Sequence, residues 1–156
     1  MTGTFDFVTA EDRPALIAFS TPEWLETAKA ALQELGYKVH TAATHSDFLM
    51  RFSQAHYQVV LVEELFGANT PDENLTLKAL QTMPMNQRRH ATILLIGNSF
   101  QTFTPMEAFQ RSVHAVINSS EMFLLQQLIE KAVAENALFF HSYQQAQTRA
   151  YAEAAK

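Results

Sequence analysis

The sequence predicts an α/β protein, with five parallel strands that are each followed by a helix. Three observations predict it. Residues 57–64 read YQVVLVEE, an apolar run rich in β-branched residues that ends in two carboxylates. Such a run is the pattern of a strand buried on both faces. Residues 92–96 read TILLI, a second run of the same kind, and Gly97-Asn98-Ser99 closes it. Around these two, short apolar runs alternate with segments of helical period at the spacing of right-handed βαβ units.

Taken in order, residues 1–13 read as a tail or linker remnant, with Phe5 and Phe7 available to dock on the body. A strand is expected over 15–19. Thr21-Pro22-Glu23 then supplies an N-cap hydroxyl, a proline at the first helical position and an acid in the first turn. The first helix carries Leu25, Ala28, Leu32 and Leu35 on one face, and Gly36 stops it. A strand over 37–42 and a helix over 46–55, with Phe48, Leu49 and Phe52 turned inward, lead to the central strand. A loop of turn formers at 67–72 follows. A helix over about 73–83 is stopped at Pro84, and the strand at 92–96 comes next. A short helix at 105–111 and a strand at 113–117 precede a long last helix. That helix is capped by Ser119 or Ser120 and runs to at least Phe140. The arrangement is a flavodoxin-like (βα)5 three-layer sandwich with sheet order 2-1-3-4-5. Residues 14–141 form the domain, and 142–156, free of proline and glycine, form a helical extension.

Composition excludes several function classes. The chain has 156 residues, enough for one domain that buries about 68–70% of its unfolded surface. Its net charge is −5, with 11 Lys and Arg against 16 Asp and Glu, which argues against nucleic acid as a partner. The one basic cluster, Arg88-Arg89-His90, is expected to be a solvated loop. No cysteine is present, so disulfides, zinc–thiolate sites and thiol catalysis are excluded. No apolar stretch approaches the roughly 18 residues of a membrane span and no signal peptide opens the chain, so the expectation is a cytoplasmic protein without a membrane partner. The six histidines form no ligand pair, and no Gly-x-Ser-x-Gly elbow activates Ser20 or Ser99. The expectation is therefore no metal, no cofactor and no enzymatic activity.

The acids closing the third strand, the LGYKV turn at 35–39 and the helix–Met83-Pro84–strand segment at 77–96 resemble the receiver domain of two-component response regulators. The resemblance spans about residues 14–140. It implies a phosphoacceptor aspartate at the end of the third strand and two acids after the first that hold Mg²⁺. It also implies a hydroxyl after the fourth strand and a lysine after the fifth to bind phosphoryl oxygens. Carried over by position, the acid pair falls on Ser20 and Thr21. The acceptor falls on Glu63, or on Glu64 one residue later; the hydroxyl on Ile96 or Gly97; the lysine on Ser119 or Ser120. Val116 stands where an aromatic usually sits.

Those replacements remove the chemistry. A lone carboxylate competes poorly for Mg²⁺, which gives up water reluctantly. Without the lysine nothing neutralises a transferred phosphoryl group. The resemblance is therefore to a pseudo-receiver, a degenerate receiver that signals through protein contacts without phosphorylation. Glu63 could mimic a charged acceptor, or it could cap a strand end in solvent. Gly97-Asn98-Ser99 could bind a small anion through backbone N–H groups, or be an ordinary turn.

Two other functions remain open: an atypical receiver that still binds a divalent cation or phosphoryl group at Glu63 or Glu64, and a small flavodoxin-like enzyme or nucleotide binder. The missing glycine-rich phosphate loop speaks against the last. For protein partners, the last helix carries a heptad-like seam: Met122, Leu125, Ile129, Ala132, Asn136, Phe139, Tyr143, Ala146 and Ala150. Phe123, Leu128, Val133 and Phe140 form a second apolar set. Met122, Leu125, Ile129, Phe139, Phe140 and Tyr143 are the expected interaction surface, with a homodimer as one outcome. Phe100, Phe103, Met106 and Phe109 could extend it.

Overall fold

Apolar runs with no polar alternation must be covered on both sides, and the sheet shows this directly. The computed structural model of the chain describes residues 8–154, without the side chain of Phe140. Phe5, Phe7 and their expected docking lie outside the described residues. The strands are β1 (Pro14–Ala18), β2 (Lys38–Thr41), β3 (Val59–Glu63), β4 (Thr92–Gly97) and β5 (Ala115–Asn118). All pair in parallel in the order β2-β1-β3-β4-β5, as the sequence predicts. The three strands with neighbours on both sides, β1, β3 and β4, bury every residue. The edge strand β2 buries only His40.

Side chains alternate between two cores. Leu16, Val60, Val62, Ile93 and Leu95 point to one face, under α2 (His45–Gln54), α3 (Leu75–Thr82) and α5 (Pro105–Arg111). Ile17, Val59, Leu61, Leu94 and Ile96 point to the other, under α1 (Pro22–Glu34) and α6 (Leu125–Ala154). Met122, Leu125, Ile129 and Ala132 belong to this second core. Met122, Leu125 and Ile129 are 8%, 1% and 0% exposed, so they seal the sheet and offer no partner surface. One stripe of α6 is thus needed by the domain itself.

Several boundaries differ for local reasons. Asn74 caps α3 through its Oδ1, which accepts Leu77 N–H at 3.1 Å, so the helix starts at Leu75 and Pro71–Glu73 forms a separate 3₁₀ turn. Asn118, rather than Ser119 or Ser120, caps the turn Ser119–Leu124, accepting Ser120 N–H at 2.9 Å. A one-turn helix, α4 (Met85–Arg88), fills the span between Pro84 and β4. The expected solvated loop is corrected here. Arg88 is 7% exposed, and its guanidinium donates to the carbonyls of Leu80 and Ser112, both at 2.6 Å. It closes the end of α3 and the turn after α5 at once.

Two histidines should weaken the fold in acid. His114 is exposed as a residue, but its Nδ1 accepts Ile93 N–H at 2.9 Å. Burial of that edge, and then the Arg88 charge, bring its pKa down to about 4. Burial, and then His56 stacked at 4.5 Å, lower that of His90. In both cases the unfolded chain binds protons more readily than the fold. Stability should therefore be full above pH 6.5 and fall as pH drops toward 4. Thermal denaturation across that range checks this, and His114→Phe should flatten the slope. Solvent screening keeps the effect modest.

Candidate functional site

The strand order reverses between β1 and β3, and α1 and α3 leave toward opposite faces. The crevice of a doubly wound sheet lies at such a point, beyond the carboxyl ends of the strands. Glu63 and Glu64 sit there. Both are buried, 6% and 3% exposed, so neither is a strand-end carboxylate in solvent.

Glu63 turns toward the start of α1. Its Oε1 accepts the N–H groups of Ser20 at 3.1 Å and Thr21 at 3.0 Å, and its Oε2 accepts the Thr21 hydroxyl at 3.1 Å. Thr21 holds the N-cap position, yet its side chain makes no cap bond. The anion that satisfies this helix start is the Glu63 carboxylate, where unpaired N–H groups and the helix dipole both favour negative charge. The Ser20 hydroxyl accepts Gly67 N–H at 3.0 Å, tying the same turn to the loop after β3.

Glu64 turns the other way. The Ser99 hydroxyl donates to it, 2.7 Å from Oε2, and Arg111 Nη1 lies 3.2 Å from the same oxygen. Its own N–H donates to Ile96 carbonyl oxygen at 2.8 Å. Gly97 makes room for it: a Cβ there would lie 2.6 Å from Glu64 Oε1 and 2.9 Å from Glu64 Cβ. The Gly97-Asn98-Ser99 turn thus meets a carboxylate of its own chain, through the Ser99 hydroxyl rather than through backbone N–H groups. Behind both acids, fully buried Asn74 donates through Nδ2 to the carbonyl oxygens of Glu63 and Glu64, each at 3.0 Å.

The remaining crevice is about 40 Å³, lined by Trp24, Glu63, Glu64, Leu65, Ile96, Gly97 and Asn98. A few water molecules fill such a volume. A hydrated Mg²⁺ beside a phosphoryl group needs more room and more oxygen ligands. Among the described residues no cluster of three or more His, Asp or Glu could hold a metal ion. Ser119 lies in the turn after β5, where Asn118 makes the bonds: its Nδ2 donates to Phe100 carbonyl oxygen at 2.7 Å. Ser20, Thr21, Glu63, Glu64 and Gly97 thus come together. Asn74, Ser99 and Arg111 complete the arrangement. An Asn ahead of an apolar run is a cap signal, which could have marked Asn74; nothing local marks Arg111.

Of the expected partner surface, Phe139 and Tyr143 are 71% and 50% exposed, and the side chain of Phe140 lies outside the described residues. Phe100 is a core residue and Phe103 is half-buried beneath Lys131. Met106 and Phe109 are exposed. Among the described residues no helix is long and apolar enough to cross a membrane.

No protein-family model matches the sequence, and no curated protein matches it. Solved structures do resemble the fold. A CheY-like receiver domain protein from Methanospirillum hungatei superimposes with a TM-score of 0.61 at 17% identity, over 81% of this chain and 97% of its own. The chemotaxis response regulator CheY4 of Vibrio cholerae gives 0.57 at 20% identity, over 75% and 98%. A response regulator from Thermotoga maritima gives 0.61 at 10% identity, over 79% and 98%. Identities this low speak to architecture alone, and on that evidence the chain has the fold of CheY-like response regulator receiver domains.

Proposed function

We propose that the chain is a receiver-like signalling domain that works through protein contacts and needs no phosphoryl transfer. One observation carries this: both oxygens of Glu63, at the phosphoacceptor position, are spent on Ser20 and Thr21, the residues at the Mg²⁺-binding positions. In a working receiver those groups would all face a metal ion. Here they face each other, so the pocket holds its own internal anion in place of an external one. The neutral Ser119 supports the same conclusion, since it offers no charge to a phosphoryl group.

Trp24 reports on the pocket directly, because it lines the crevice with both acids. Titration with millimolar Mg²⁺ and then a small-molecule phosphodonor should leave its emission unchanged and the intact mass unshifted. A saturable quench or the mass of one phosphoryl group would overturn the proposal and restore the atypical receiver.

A further inference from the structure

The seam of α6 outruns the body that it covers. Asn136 still reaches the sheet, donating to Thr92 Oγ1 at 2.9 Å. Beyond it, residues 137–154 continue as helix for about 27 Å, and every described side chain among them is exposed. At the root of this segment Phe139 and Tyr143 line a groove of about 270 Å³ with Met85, Arg89, His114 and Asn136.

The projecting seam is uneven along its length. Its root carries Asn136, Phe139 and Tyr143; its tip carries Ala146, Ala150 and Glu153. Parallel pairing with an identical helix sets large against large and alanine against alanine, leaving a gap at the tip, and it brings two Glu153 carboxylates together. Antiparallel pairing does the reverse. One register, with the twofold axis between residues 144 and 145, sets Phe139 opposite Ala150, Tyr143 opposite Ala146 and Asn136 opposite Glu153. Large residues then meet small ones, as knobs require holes. Glu153 of each copy arrives beside the groove that contains Arg89, so the charges match as well as the shapes. Such an interface is isologous and closes on itself.

We propose that a second copy of this chain covers residues 137–154 in an antiparallel pair with that register. This rests on the interaction role given above and names the partner. The surface is separate from the Glu63 pocket, so the dimer forms with or without Mg²⁺.

The full chain tests it. Light scattering should give twice the 17.6 kDa chain mass at micromolar concentration. Tyr143→Glu and Ala146→Glu, at exposed seam positions, should each return the mass to one chain with unchanged helical circular dichroism, while Gln144→Glu, off the seam, stays dimeric. With no native cysteine, Ala152→Cys takes a single spin label. The two labelled backbone positions should lie about 25 Å apart in the antiparallel pair, against about 10 Å in a parallel one. A mass of one chain throughout would overturn the second-copy proposal, as would a dimer that survives both seam variants. A short label distance would overturn the register. None of these results bears on the pocket, which the phosphodonor titration tests by itself.

Discussion

Asn74→Ala should lower the unfolding free energy by about 2–4 kcal/mol, measured by urea denaturation. The side chain performs three tasks from a fully buried position: it caps α3, and its Nδ2 bonds the carbonyl oxygens of Glu63 and Glu64. The Glu63 carbonyl keeps a second donor, Phe66 N–H at 3.0 Å, so its loss is partial. The Glu64 carbonyl loses a buried partner, which costs more than the bond itself contributed. Asn74→Asp separates these effects. Aspartate caps a helix as well as asparagine does, but here it turns a carboxylate oxygen toward two carbonyl oxygens in a dry site. It should destabilise the fold more than alanine does. A milder effect from aspartate would mean that capping, rather than the link to β3, is what Asn74 supplies.

Glu63→Ala should also cost about 2–4 kcal/mol, because it strips the start of α1 of its acceptor. Two backbone N–H groups and the Thr21 hydroxyl lose their partner at once. The open crevice admits water, which offsets part of the loss. Glu63→Asp is the informative companion. It places aspartate, the residue that receiver domains use as phosphoacceptor, at the end of β3, one methylene further from Ser20 and Thr21. If the internal anion is what Glu63 provides, aspartate should destabilise by about 1–2 kcal/mol and should gain neither Mg²⁺ affinity nor phosphorylation. The acid pair and the lysine remain absent.

The fold was legible because its signals are local and continuous. The runs at 57–64 and 92–96, short and rich in β-branched residues, read as strands covered on both sides, and the Pro22 and Gly36 punctuation bounded α1 within a residue or two. The site was half legible. The positions that came together were named through the resemblance to receivers, carried over strand by strand, but what they do to each other was not. The Glu63–Thr21 bonds span 42 residues of sequence and the Ser99–Glu64 bond 35. No local pattern encodes such partners. Arg88 misled for a related reason. A basic cluster beside Pro84 reads as solvated loop, and only the approach of α3 to the turn after α5 supplies two carbonyls to bury it. In α6, periodicity marked one stripe but could not say where the body ends. Leu125 and Ile129, with Met122 of the preceding turn, went to the sheet and Phe139 and Tyr143 to the surface, although the sequence spaces them as one stripe.

The pocket is filled by its own chain, and the amide resonances of Ser20 and Thr21 report on this most directly. Both N–H groups are bonded to Glu63 Oε1. They should be slow to exchange with solvent and should not move when Mg²⁺ and beryllofluoride are added at millimolar concentration. Saturable shifts of these two resonances, with Trp24 following, would contradict the account and show that Glu63 releases α1 to take up an external ligand.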